Sequence, residues 1–373
     1  MKGDFILARR GENIYKRNDG RWEGRYKDGF KPNGKTKYSS IYGKSYAEVR
    51  SAILKKRLQL QTEAPTCRLK FGEIINMWLE SIKNTVKEST YANYLMKVEK
   101  HILTRLGSIS YDKLTTQNLN DFVSERLESG LSAKYVSDIT VLIKSAAKHA
   151  HRQFGYVNRA EYMSLPKKEV LSEKQLLSSS EQHILTENLM KNINLCNAGI
   201  LLSAATGLRI GELCALQWSD FDFEKSTVTV RKTMQRIKNI ENTSATKVIV
   251  SSPKSRTSFR EIPIPEFLKN ALINLKSDNN SFMLTGNSKF VEPRTMQYRF
   301  KSILKKLSLP MVSFHSLRHM FATKCVTLGI DVKTLSEILG HSSVKITLDR
   351  YVHTSMERKQ SCMKLFSDNI TAA

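Results

Sequence analysis

The chain has 373 residues, with 60 Lys and Arg against 35 Asp and Glu, a net charge of +25 and a pI near 9.8. That length suggests two or three domains, and the composition excludes intrinsic disorder. No apolar run, the longest being Ala198–Ala205, can cross a bilayer, no secretory signal is expected at the N-terminus, and five scattered cysteines argue against a disulfide framework or a cysteine-type metal site.

Residues 1–62 hold sixteen basic and six acidic side chains. Asn13–Lys16 and Arg21–Tyr26 flank Asn18-Asp19-Gly20, a hairpin signal. Lys27-Asp28-Gly29 and Lys31-Pro32-Asn33-Gly34 predict a second turn before a third strand at Lys37–Tyr42. Ser45 to Glu48 is a capping box that opens a helix to about Leu60. Aromatic residues (Trp22, Tyr26, Tyr38, Tyr42) alternate here with Arg21, Arg25, Lys35 and Lys37. Such strands suit a DNA groove, and the cluster as a whole favours DNA contact over a small core with a solvated face.

After a polar segment around Ala64-Pro65, four amphipathic helices are expected. Their apolar stripes are Phe71 to Ile82; Tyr91 to Val98, capped by Ser89; Leu119 to Leu127, opened by Thr115 or Thr116; and Val136 to Ala146, opened by Ser132. Lys134, Lys144, Lys148 and Arg152 stand on the opposite face of the last, either as a phosphate-binding surface or as a solvated one. Residues 162–177 read as a linker, and Ser178 caps the next helix. The rest is mostly helical, interrupted by a strand at Thr227–Thr233. Lys247–Val250 and Arg260–Ile264 then form an expected hairpin around the polar turn Ser251–Ser258.

Chemistry concentrates in the last 170 residues. Arg209 sits where a glycine turn precedes a helix, a place that collects donors for phosphate oxygens. Lys254 lies in the expected hairpin turn, and His315 and Arg318 are three apart on one helical face. His341 follows Leu339-Gly340 at a helix end, and Tyr351 lies ten residues on. Singly, each has an ordinary structural explanation: an Arg209–Glu212 surface pair, a solvated lysine, a helix-capping histidine, a core tyrosine. The ordered set is more specific.

In that order, Arg209, Lys254, His315-x-x-Arg318, His341 and Tyr351 resemble the signature of the tyrosine recombinases. Their flanking words TGLRIGEL, PKSRTSFREIPI, HSLRHMFAT and LGHSSVKITLDRYVH match as well. The likeness is greatest to integrases of conjugative transposons of Gram-positive bacteria. The resemblance implies a multidomain, mainly α chain with small β-sheets. Residues 1–62 would be an arm-type DNA-binding sheet plus helix, 67–161 a four-helix core-binding bundle, 162–177 a linker, and 178–373 an α-rich catalytic domain with a small sheet. It implies a site-specific recombinase that cuts and rejoins DNA through a 3′-phosphotyrosyl intermediate, to integrate and excise a mobile element.

On that reading Tyr351 attacks, and Arg209, Arg318 and His341 bind the non-bridging oxygens. Lys254 protonates the leaving 5′-oxygen, His315 assists Tyr351 or orients the phosphate, and Glu212 orients the basic groups. No metal, ATP or other cofactor is expected. Expected partners are double-stranded DNA at core-type and arm-type sites and a homotetramer on synapsed DNA, with an excisionase and a host DNA-bending protein as plausible accessories. No membrane is expected, and the location is bacterial cytoplasm, on DNA. The C-terminal segment Ser355–Phe366 packs either on its own domain or on a neighbouring protomer. The competing readings are a type IB topoisomerase-like enzyme and a non-catalytic DNA-binding regulator.

Overall fold

The computed structural model describes residues 13–30, 36–62, 67–166, 176–239, 245–251 and 259–351, with single positions at 360, 363 and 367. Lys35, the turn expected at 31–34, residues 252–258 of the expected polar turn with Lys254, and nearly all of Ser355–Phe366 lie outside the described residues. The chain divides into two compact units, Met1–Leu171 and Ser172–Ala373.

The first unit begins with an antiparallel sheet in the order β1 (Ile14–Lys16), β2 (Trp22–Phe30), β3 (Thr36–Gly43). Helix α1 (Tyr46–Thr62) packs on it, through Val49 and Ile53 against Ile14 and Tyr26. Its start is fixed by Ser45, whose hydroxyl accepts from the Glu48 amide at 3.2 Å, while the Glu48 carboxylate accepts from the Lys44 amide at 2.8 Å. Lys27-Asp28-Gly29 does not turn. Strand β2 runs through it, with a register shift between Lys27 and Phe30, and Asp28 is held in the sheet by the Ser39 hydroxyl at 2.7 Å.

A helical bundle follows: α2 (Phe71–Ile82), α3 (Glu88–Lys97), a π-helical turn Val98–Leu103, α4 (Thr104–Leu106), α5 (Thr116–Glu128) and α6 (Ala133–Phe154). Phe71, Ile74, Ile75, Ile139, Ile143 and Ala146 are fully buried where α2 packs on α6. Thr115 and Ser132 are the N-caps the sequence predicts, accepting from the amides of Asn118 and Tyr135. Ser89 is not a cap; α3 starts two residues earlier, with Lys87 at its N-cap. The π-helical turn accompanies two buried polar groups. Lys97 reaches Asp138 at 3.2 Å, and the His101 ring lies 3.4 Å from the Tyr135 hydroxyl. Near one end of the expected linker the Ser164 amide donates to Asn120 of the first unit at 3.0 Å, and at the other Leu177 is buried in the core of the second.

In the second unit, α7 (Ser179–Lys191), capped by Ser178, leads to α8 (Leu195–Thr206) and α9 (Ile210–Ala215). Strands β4 (Phe221–Asp222), β5 (Thr227–Val230) and β8 (Arg260–Pro263) form one sheet, and β6 (Thr233–Lys238) and β7 (Thr246–Ser251) another. The expected β7–β8 hairpin therefore does not form. β7 pairs with β6 and β8 with β5, so the segment bearing Lys254 joins two sheets instead of turning within one. Helices α10 (Glu266–Leu275), α11 (Pro293–Lys306), α12 (His315–Thr327), α13 (Val332–Leu339) and α14 (Val344–Tyr351) complete the unit. Its core joins Trp218, Leu201, Leu202, Met283, Phe300 and Leu317. Among the described residues no helix is long and apolar enough to cross a membrane.

Candidate active site

The site forms where α8, α9, β8, α12 and α13 meet. Gly207 ends α8 with φ +68°, and a Cβ there would meet the Leu339 side chain at 2.6 Å and that of Phe321 at 2.8 Å, so any other residue would be strained and would displace its neighbours. This tight turn sets Arg209 at the N-cap of α9. The Glu212 carboxylate accepts from the Arg209 amide at 3.0 Å and from its guanidinium at 2.7 Å. The surface pair suggested by the spacing exists, but its carboxylate is buried.

Sequence reasoning missed the second partner. Arg260, on β8, is buried and donates to both oxygens of Glu212, at 2.8 and 3.2 Å. Burial alone would raise the Glu212 carboxyl, but Arg260 and then Arg209 outweigh it, so Glu212 is held below the usual carboxylate range. The one sequence signal for its burial is the alternation of Arg260 with Ile262 in β8 and Ile264 just after it, which puts Arg260 on the inward face.

The three arginines share a second feature. Arg260 Nε donates to the Ile338 carbonyl at 2.6 Å, Arg318 Nη2 to Leu339 at 2.7 Å, and Arg209 Nη2 to Gly340 at 3.2 Å. Three consecutive carbonyls at the C-terminus of α13, the negative end of a helix dipole, are thus clasped by three guanidiniums. Arg318 also donates to Gly207 O at 2.8 Å and is only 2 % exposed. Burial, then the neighbouring Arg209, lowers its pKa to about 9, so it keeps its charge at neutral pH. Its two carbonyl bonds occupy two of five N–H donors.

Gly340 (φ +63°) ends α13 and turns the chain so that His341 faces this cluster. The His341 ring is buried, with Nδ1 2.7 Å from the Thr347 hydroxyl and its plane parallel to Tyr351, centroids 6.4 Å apart. Burial, then Arg318 and Arg209, lowers its pKa to about 4, so it is neutral at pH 7. The unfolded chain takes up this proton near pH 6.5 and the folded one near 4, so stability falls as pH drops through that window. In urea unfolding at pH 7 and pH 4.5, His341→Gln is expected to lose less stability than the parent; equal losses would contradict this.

Tyr351 is buried at the end of α14. The ring at its hydroxyl is that of His319, one turn beyond His315; His315 is exposed and meets His319 edge-on. Arg209, Arg318, His341 and Tyr351 therefore come together as the signature predicts.

An open pocket of about 530 Å³ lies between α9, β6 and α11, with Ile210 of α9 in its lining. Arg294, stacked on Tyr298, and Lys301 line it.

The DNA candidates in the first unit are divided by the fold. By strand alternation, Glu23 and Arg25 share the open face of the sheet with Tyr15, Ser40 and Tyr42. Arg17 and Arg21 lie over the Tyr42 ring, and Arg25 lies over Tyr15. Glu23 is only 2 % exposed at the centre of this face. The Ser40 hydroxyl first, then Arg17, Tyr15 and Arg25, holds its carboxyl down at about 2 against the cost of burial. Trp22 and Tyr26 instead face α1, Trp22 edge-on to Tyr46, because the period-2 pattern gives the helix one set of aromatics. Lys37 also falls on the helix side, paired with Asp28 at 3.3 Å. In α6, Lys134, Lys144, Lys148 and Arg152 lie within about 80° of arc, at 100° per residue. Lys134 is paired with Asp138 at 2.6 Å.

Comparison with known proteins agrees with this geometry. Residues 172–358 match the phage integrase family, and residues 70–127 match its N-terminal SAM-like domain. The chain belongs to the phage integrase family. It is a tyrosine recombinase, a DNA-cutting and rejoining enzyme. It is 26 % identical to a XerC-like tyrosine recombinase of Caldanaerobacter subterraneus over 90 % of this chain and 93 % of the relative. It is 25 % identical to the ICEBs1 integrase of Bacillus subtilis, over 81 % and 84 %. It is 26 % identical to the transposase of transposon Tn916 from Enterococcus faecalis, over 76 % and 72 %. The Tn1549 transposon integrase, solved with a circular-intermediate DNA, shares the fold with a TM-score of 0.66 at 21 % identity, over 80 % of this chain and 99 % of that one.

Proposed function

We propose that this recombinase integrates and excises a mobile genetic element, with Tyr351 as nucleophile. The observation that carries the reading is the convergence of Arg209, Arg318, His341 and the Tyr351 ring around one buried cluster. Three guanidiniums against the single carboxylate of Glu212 leave an excess of two positive charges. That excess matches the charge of a pentacoordinate phosphorus group better than that of the singly charged ground-state phosphodiester, which is the condition for catalysis.

Arg209 and Arg318 hold the non-bridging oxygens as planar forks, and neutral His341 adds one N–H donor whose tautomer is set by Thr347. Tyr351 attacks phosphorus and the 5′-oxygen leaves with a proton from Lys254. The phosphotyrosyl ester keeps the energy of the broken bond, so the 5′-hydroxyl of a second strand can reverse the step.

Duplex DNA flanking the scissile phosphate runs along Arg294, Tyr298 and Lys301, and the stripe Lys144, Lys148 and Arg152 meets phosphates of the same core site. The Arg17, Arg21 and Arg25 face engages a second, arm-type site, so one chain tethers two sites. Exchange between two duplexes proceeds in a homotetramer, with an excisionase and a host DNA-bending protein as accessories that set direction.

Duplexes enriched from a random pool by the full chain are expected to fall into two classes. Deleting residues 1–62 spares one class and removes binding to the other. Equal loss of both would contradict a separate arm-binding role.

A further inference from the structure

The hydroxyl of Tyr351 lies 2.9 Å from Nδ1 of His319, within general-base reach. The rings are 5.6 Å apart and tilted, and both side chains are buried. His319 directly follows Arg318 in α12, so one turn of helix bears both a phosphate-binding guanidinium and the imidazole at the nucleophile. We propose that His319 is the proton acceptor for Tyr351 in cleavage and the proton donor in rejoining. This inference rests on the reading of Tyr351 as nucleophile.

A neutral imidazole with its proton on Nε2 accepts from Tyr351 through Nδ1. As the O–H bond of Tyr351 breaks, its proton passes to Nδ1, its electron pair forms the bond to phosphorus, and the bond from phosphorus to the 5′-oxygen breaks. The general acid protonates that oxygen. The imidazolium is offset by the negative charge added to the phosphorus group. In rejoining, the Tyr351 oxygen leaves and recovers the same proton. A phenol with a pKa near 10 gains from such help at neutral pH. His315, edge-on to His319 at 4.7 Å, holds the ring orientation from the exposed side.

The test uses the full chain and a nicked duplex carrying an enriched core site, with covalent adduct formation timed on denaturing gels. His319→Asn puts an amide oxygen near the place of Nδ1, so it can accept from Tyr351 but cannot take the proton; His319→Ala removes both. Both variants are expected to slow adduct formation about 10²–10³-fold with DNA affinity and melting temperature close to the parent's. Added imidazole speeds His319→Ala. A 5′-bridging phosphorothiolate, whose sulfur leaves without an acid, restores Lys254→Ala but neither His319 variant. Parent-like cleavage by His319→Asn would overturn the proposal in favour of simple positioning. Cleavage by His319→Ala as fast as the parent's, or faster, would overturn it in favour of a storage contact for the nucleophile. No adduct from the parent would remove the reading of Tyr351, and with it the role of His319.

Discussion

Arg318→Ala is expected to lose strand cleavage by about 10³-fold or more while still binding duplex DNA. The magnitude follows from losing a charged donor aimed at transition-state oxygens, where single neutral donors already contribute about 10²–10³-fold and arginines up to about 10⁵-fold. Affinity survives because it is spread over many phosphate contacts elsewhere. The substitution also leaves the Gly207 and Leu339 carbonyls without their guanidinium, at about 1–3 kcal/mol for each that stays buried. Arg318→Lys restores charge but cannot span both carbonyls and a phosphate with a planar fork. Adduct formation and gel-shift affinity, measured together, separate the two effects. Retained cleavage would remove Arg318 from the site.

Arg260→Ala is expected to be among the most damaging single changes to stability. Glu212 and Arg260 are both almost wholly enclosed, and removing one partner of a buried pair costs about 3–5 kcal/mol through the charge left behind. The same change releases the Ile338 carbonyl and loosens α13, which sets His341 and Tyr351. The double variant Arg260→Met, Glu212→Gln removes the uncompensated charge and is expected to recover much of the stability, but not cleavage, because Arg209 loses its anchor. Urea unfolding of Arg260→Met, Glu212→Gln and the double forms the cycle. Two singles within about 0.5 kcal/mol of the parent would show that the pair contributes little.

The parts legible in the sequence are those set by local chemistry. Thr115, Ser132 and Ser178 cap the helices they precede because their side chains meet an amide donor three residues on. Arg209, Arg318, His341 and Tyr351, which the fold brings together, are marked in the sequence by their flanking words; Lys254 lies outside the described residues, and His315 is exposed. What escaped depends on long-range choices. Nothing local tells β7 to pair with β6 and not with β8, so the Lys254 segment was misread as a hairpin turn. Trp22 looked like a DNA-facing aromatic because alternation gives two faces without saying which receives α1. Arg260 and His319 escaped for a related reason. Arg260 was read only as the start of a strand and His319 only as the neighbour of Arg318, and the packing of β8 and α14 shows which side chain reaches Glu212 or Tyr351.

The central claim is that Tyr351 attacks DNA. A labelled nicked duplex carrying an enriched core site is incubated with the parent and with Tyr351→Phe, then run on a denaturing gel. The account predicts a protein–DNA adduct with the parent and none with Tyr351→Phe, although both bind the duplex. An adduct from both proteins would assign the attack to another residue, and none from either, despite binding, would contradict cleavage by this chain.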